Sequence, residues 1–277
     1  MRTIRAVTAL LISVALSFGC SEPNGPPGPP QNLGPQFINQ GEPTGPDYGN
    51  VGALLFDFDD DGISVSDLWC SGSLIAENVF LTAAHCLAFF PGDAQFWVSF
   101  DPDLSDGVSG LIQAGGFAFD PQFGRDFGDS HDIGVVLLPV GATDGIDPLE
   151  LPEAGELDRL ARRGGLIGQL FVNVGYGAAA SADGPLSFSV DGKRKVSESP
   201  FMGLTQSTLG LLMNSHATDE GGDCFGDSGS PKFLKGDRDK IYAIVNWGDI
   251  PCRATSWDYR LDTSSARDFL GGFVELP

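Results

Sequence analysis

An all-β fold is predicted by three observations. Short apolar runs recur along the chain and are bounded by Gly, Pro, Asp or Asn, as strands are. The 38 Gly and 19 Pro residues supply tight turns for many such strands. Helical patterning is confined to one short stretch near the C-terminus. In order, Val51-Gly52-Ala53-Leu54-Leu55-Phe56 reads as the first strand, and Val79-Phe80-Leu81, Phe96-Trp97-Val98-Ser99-Phe100 and the run from Ile133 to Leu138 read as the next. In the second half, Leu170-Phe171-Val172-Asn173-Val174 and Ile241-Tyr242-Ala243-Ile244-Val245 carry the same signal. A final helix is expected from Ser264 to Phe269, where Gly271-Gly272 stops it. No internal repeat is visible.

Length and composition set limits. The 277 residues are 42% hydrophobic and 19% charged, enough to bury one large all-β domain or two small ones. Asp+Glu exceed Lys+Arg by 37 to 16, and a net charge of -21 excludes nucleic acid as a partner because phosphates would be repelled. Residues 1–19 have the form of a signal peptide, with a basic start at Met1-Arg2-Thr3-Ile4-Arg5 and an apolar stretch from Ala6 to Phe18 too short to span a membrane stably. Cys20 resembles the lipid-modified cysteine of bacterial lipoproteins, although Ser17-Phe18-Gly19-Cys20 lacks the usual Leu three residues earlier. Lipid anchoring and ordinary secretion, or release into a periplasm, are both open. Residues 20–37 form a Pro/Gly-rich tether or propeptide that cannot pack a core. Five cysteines in an exported chain leave one over, and Cys20 lies outside the expected domain.

Three motifs carry chemistry. Gly226-Asp227-Ser228-Gly229-Ser230-Pro231 places a serine in a glycine-rich turn, Thr82-Ala83-Ala84-His85-Cys86 offers an imidazole, and His131-Asp132 leads into an apolar strand. A serine hydroxyl is a weak nucleophile at neutral pH, so Ser228 needs His85 as its base. Asp132 would hold the imidazole in the tautomer whose lone pair faces Ser228. Gly226, without a side chain, lets its N–H and that of Ser228 converge on the oxyanion of a tetrahedral intermediate. Each motif alone has a bland reading, as a solvated turn or a packed histidine. Together, in the order His, Asp, Ser, they make the chain resemble the trypsin-like (chymotrypsin-fold) serine proteases, of the bacterial secreted type.

The resemblance covers roughly residues 38 to 270 and implies two six-stranded antiparallel β-barrels with a short C-terminal helix. The peptidase domain would span 38–277, with one barrel at about 38–150 and the other at about 165–265, and Gly175-Tyr176-Gly177 resembles the Gly-Trp-Gly that opens the second barrel in relatives. It implies a secreted serine endopeptidase acting through an acyl-enzyme at Ser228, with no metal or organic cofactor, protein or peptide substrates, and a monomeric state. An inactive binding protein that keeps the shell, or an esterase with the same triad, is the alternative. By the same analogy Cys70 pairs with Cys86 and Cys224 with Cys252, bridges that contribute ~2–5 kcal/mol each and need an oxidising compartment. Ile38-Asn39-Gln40-Gly41 resembles the start of an activated enzyme, implying a zymogen cleaved before Ile38 whose new α-amino group pairs with Asp227; an uncleaved linker is the other reading.

The substrate pocket departs from the pattern. Trypsin reads a basic side chain with an aspartate six residues before its nucleophile, and Gly222 stands there, followed by Asp223. Asn246-Trp247-Gly248 occupies the place of the usual Ser-Trp-Gly, and an Asn246 amide can replace the serine's bond to the triad aspartate. Trp257 is placed where it can shorten the cavity. Asp57-Phe58-Asp59-Asp60-Asp61-Gly62 opens like a calcium loop, but its twelfth position is Leu68 and not Glu, which favours a hairpin tip of solvated carboxylates. His131 and His216 are expected to be structural, and Lys193-Arg194-Lys195 reads as a solvated surface run.

Overall fold

The structure, a computed structural model, describes residues 41–181, 185–214 and 221–277. The expected signal segment, Cys20, the tether, Ile38 and His216 lie outside them.

After the two-residue strand β1 (Glu42–Pro43) come β2 (Val51–Leu55), β3 (Leu68–Ala76), β4 (Val79–Thr82), β5 (Trp97–Ser99), β6 (Ile112–Gln113), β7 (Gly116–Phe119) and β8 (Gly134–Leu137). Beyond them lie helix α1 (Glu156–Arg162), then β9 (Leu170–Gly175), β10 (Ala179–Ala180), β11 (Phe188–Ser189), β12 (Lys195–Leu204), β13 (Thr208–Leu212), β14 (Pro231–Leu234), β15 (Ile241–Gly248), β16 (Thr255–Arg260) and helix α2 (Ser264–Leu270). The first sheet runs β6-β5-β2-β3-β4-β8-β7. The second runs β12-β13-β16-β15-β14-β9 and closes on itself through β12–β9, with β1 added outside β12. The all-β, chymotrypsin-like fold with a short C-terminal helix is therefore present. The second unit is a closed six-stranded barrel, whereas the first is a curled half-barrel of seven strands.

One apolar core is shared by the two sheets. Val51, Val79, Leu81 and Val135 from the first meet Val172, Phe233 and Ile244 from the second, and Ala266 and Leu270 of α2 join them. Each of the larger apolar side chains among them stabilises the fold by roughly 1.5–3 kcal/mol. Helix α2 is capped as its sequence suggests, Thr263 Oγ1 accepting from Ala266 N at 3.2 Å. Helix α1 was not expected. The residue before it, Gly155, has no side chain to cap it, and the carboxylate that receives Leu157 N at 2.8 Å comes from distant Asp262.

The basic run Lys193-Arg194-Lys195 is not a solvated surface. Lys193 is half-buried, but Arg194 is 1% and Lys195 2% accessible. The Arg194 guanidinium donates to Thr44 Oγ1 at 3.0 Å, to the carbonyls of Gly45, Asp47, Val51 and Phe100 at 2.9–3.2 Å, and to the Tyr176 hydroxyl at 3.3 Å. It thereby ties the segment before β2, the adjoining start of β2 and end of β5, and the chain after β9 into one knot. A guanidinium satisfies carbonyls as well as carboxylates because its fork presents five N–H donors. Burial holds the Tyr176 phenol in its neutral form, pushing its pKa to about 12.

Replacing Arg194 with Leu should lower the unfolding free energy by at least about 3 kcal/mol, since several buried carbonyls lose their donor together. Lys193→Leu should change it by less than about 1 kcal/mol, because its pair with Asp103 is solvated on both sides. Urea denaturation of the two variants makes the comparison.

Candidate active site

Strand pairing brings His85 and Asp132 together. Thr82, the last residue of β4, is the register partner of Gly134, the first of β8, so the chain leaving β4 runs beside the chain entering β8. The 3-10 turn Ala84–Cys86 holds His85, and the Cys70–Cys86 disulfide and a 2.8 Å bond from Trp69 Nε1 to Cys86 O fasten that turn to β3. Asp132, 1% exposed, accepts the His85 backbone N–H at 2.8 Å through Oδ1 and meets the imidazole Nδ1 at 2.7 Å through Oδ2. One carboxylate thus fixes both the main chain and the ring. With its Nδ1 proton held there, the imidazole presents Nε2 as a lone pair.

Ser228 comes from the other sheet, in the turn before β14. Gly229 has φ +80, and a Cβ built on it would stand 2.3 Å from Thr82 Oγ1 and 2.6 Å from Ala83 N. Only glycine permits this approach, which lays the serine turn against the residues leading to His85. The Ser71 N–H also donates to Ser228 O at 3.0 Å. His85 and Ser228 line the same cavity of about 700 Å³. Gly226 has φ +95, and among the described residues the N–H groups of Gly226 and Ser228 have no hydrogen-bond partner. Asp227 is fully buried; its carboxylate accepts Gly177 N at 2.8 Å and Cys224 N at 2.9 Å. Burial, reinforced by neighbouring Asp223, still pushes its pKa up to about 7.

The remaining expected residues divide. Asp223, Asn246, Trp247 and Gly248 line the cavity, and the Cys224–Cys252 bridge borders it. Gly222 does not: it is buried beneath Met213, where a Cβ would come within 2.2 Å of that side chain. Asn246 does not bond to Asp132; its Nδ2 donates to Ser130 Oγ at 3.0 Å. Trp257 does not shorten the cavity, because it lies against Gly210 and stacks on Trp247 at 5.7 Å while its neighbour Ser256 faces inward. His131 pairs with Asp120 at 2.9 Å. Asp57, Asp59 and Asp61 do gather their carboxylates, and Asp59 raises the pKa of Asp61, while Leu68 opens β3.

Sequence reasoning missed several lining and supporting groups. Phe188, Val190, Phe225 and Ile250 give the cavity apolar walls. Lys232 is fully buried behind it, its Nζ 2.5 Å from Asp223 Oδ1. Asp258, also buried and near both, has its pKa raised to about 8, chiefly by burial. An apolar-flanked lysine directly after the Ser-Pro that ends the serine motif was the only available signal.

A family model described as Trypsin matches residues 61–263. The chain is 30% identical over 193 residues to a vitellin-degrading protease of Bombyx mori and 26% identical over 192 residues to a collagenase of Hypoderma lineatum. Each alignment covers 65% of this chain and 66% of the relative, just under two thirds of the relative's length. Both relatives are insect proteins and lend no support to the bacterial type. Among solved structures, HL collagenase superimposes with a TM-score of 0.61 at 19% identity, covering 85% of this chain and 98% of that one. Human heparin binding protein does so at 0.58 and 17%, covering 86% and 99%.

The raised pKa values of Asp227 and Asp258 have a consequence for stability. Unfolded, each would ionise near pH 4; folded, they keep their protons to about pH 7 and about pH 8. The folded state binds more protons across that window, so stability falls as pH rises through it. The urea midpoint should be higher at pH 5 than at pH 8, and Asp258→Asn should reduce the difference.

Proposed function

Because the chain belongs to the trypsin-like serine protease family, we propose that it is a serine endopeptidase in which His85, Asp132 and Ser228 form the catalytic triad. The observation that carries this reading is the His85–Asp132 pair, with its buried carboxylate, opening on the same cavity as Ser228. Ser228 Oγ attacks the scissile carbonyl while His85 Nε2 takes its proton, and Asp132 stabilises the imidazolium that forms. The N–H groups of Gly226 and Ser228 receive the oxyanion, a contribution of about 3–4 kcal/mol per donor in comparable sites. His85 then protonates the leaving amine, and water enters by the reverse steps to release the acyl group from Ser228.

The fold alone does not decide between an enzyme and a binding protein, since a heparin binding protein shares it. A net charge of -21 opposes a polyanionic ligand of that kind for this chain. The substrate is a polypeptide whose side chain beside the cleaved bond enters the cavity bordered by Asp223, Trp247 and Gly248. The two disulfides fit an oxidising, extracellular setting. Among the described residues no helix is long and apolar enough to cross a membrane. Activation by cleavage before Ile38 is part of the same proposal. Asp227 is a fully buried carboxyl whose two backbone donors do not offset its burial, so a new α-amino group brought to it would favour the ionised form and brace the oxyanion turn.

A fluorophosphonate should label the chain beginning at Ile38 stoichiometrically, and Ser228→Ala should abolish labelling. Asp132→Asn should slow peptide hydrolysis by about 10⁴-fold. Absence of labelling in the native protein would reject the triad, and turnover of esters without cleavage of any member of a peptide library would reject the endopeptidase in favour of an esterase.

A further inference from the structure

Ser71 stands where three segments meet. It is the fourth residue of β3 and is fully buried. Its peptide N–H donates to Ser228 O at 3.0 Å, and its carbonyl accepts from Thr82 Oγ1 at 2.8 Å. Its hydroxyl accepts from Tyr176 N at 3.1 Å and donates to Gly226 O at 2.8 Å. A hydroxyl is the smallest side-chain group able to do both at once.

The Gly226 carbonyl is a sensitive place for such a bond. Gly226 has φ +95 and no side chain, so nothing intrinsic prevents rotation of the peptide groups on either side of it. A trans peptide is planar with its C=O and N–H pointing opposite ways, so fixing the oxygen of one aims its hydrogen. On the near side, Ala178 N donates to Phe225 O at 2.7 Å, which turns the Gly226 N–H away from Ala178. On the far side, the Ser71 hydroxyl fixes Gly226 O, and Asp227, which follows, is held by Gly177 and Cys224. The turn is thereby anchored at both flanking peptides, one anchor coming from β3 and the other from the chain between β9 and β10.

We propose that Ser71 is a positioning residue for catalysis: its buried hydroxyl, bridging Tyr176 N and Gly226 O, holds the turn in the form that aims the Gly226 and Ser228 amides at the oxyanion. The inference rests on the serine hydrolase reading above. Removing the hydroxyl leaves a buried donor and a buried acceptor without partners, and the peptide between Gly226 and Asp227 is then held on one side only, by Asp227 N donating to Cys224 O at 3.0 Å. His85 and Asp132 are untouched by that change, so ground-state binding and the titration of the base stay as they were.

The test compares wild type, Ser71→Ala and Ser71→Thr on p-nitrophenyl acetate, a small ester that does not depend on pocket specificity. Rates are expressed per site labelled by a fluorophosphonate, so a partly folded preparation still yields the number. For Ser71→Ala, kcat per labelled site should fall about tenfold or more, less than the 10²–10³ lost with an oxyanion donor itself. KM should stay within about twofold, and the midpoint of the pH–rate profile should not move. Ser71→Thr, which keeps the hydroxyl, should retain most of the wild-type rate. A purely structural role predicts fewer labelled sites with an unchanged rate at each, and that result overturns the proposal, as does a Ser71→Thr variant as slow as Ser71→Ala. A wild-type protein that takes up no label defeats instead the serine hydrolase reading on which the inference rests.

Discussion

At Gly229 the turn carrying Ser228 passes so close to Thr82 and Ala83 that no side chain fits between them, and the Ser71 N–H closes the same seam from β3. The proposed nucleophile and base belong to different sheets, and neither sheet alone defines their separation. Backbone packed on backbone is stiff, since it has no rotamers to relax through. Such a seam fixes two loops relative to one another more tightly than a contact between long side chains would. The core shared by the sheets holds the halves together, and the seam sets where along their boundary they meet.

Around this seam the buried charges are handled in two ways. Arg194 is surrounded by carbonyl oxygens and two hydroxyls, so its charge is spread over dipoles from several segments and acts as a clasp. The carboxylates near the cavity are less well served. Asp223 has one oxygen on Lys232 and one with no partner, and Asp258 has an unpartnered oxygen too. Asp227 receives two backbone donors and still titrates high. Poorly compensated carboxyls are costly in a purely structural core and are a common mark of a working site.

What the sequence revealed follows from where each residue's partners lie. Strands β4, β8, β9 and β15 were legible because their buried positions are apolar and their ends carry turn residues. Strand β12 was not, because its inward positions Lys195, Ser197 and Ser199 are polar and are satisfied inside the barrel, Asn173 Nδ2 donating to both serines. Helix α1 escaped notice because Asp262 supplies its cap from beyond β16. The three motifs of the proposed triad were legible since the chemistry restricts residue type at each position and the order of the three is informative. Ser71 and Lys232 were not: each acts through neighbours that are remote in the chain, and a local window contains none of them.

The pocket shows the same limit from the side of specificity. Counting back from Ser228 finds Gly222 where trypsin has its acid, and a count cannot tell that Met213 covers this glycine or that the carboxyl next to it is engaged from behind. An ion pair with both partners buried resists separation strongly, because either charge left alone would bear the full cost of desolvation. A cationic side chain entering the cavity would therefore meet a carboxylate that already holds an ammonium, within walls formed by Val245, Trp247 and Ile250. The large negative charge of the surface does little to change this, since solvent and salt screen it over about 8–10 Å. For the proposed substrate, recognition in this cavity rests on its apolar walls, because Asp223 is buried, with one oxygen held by Lys232 and the other buried without a partner.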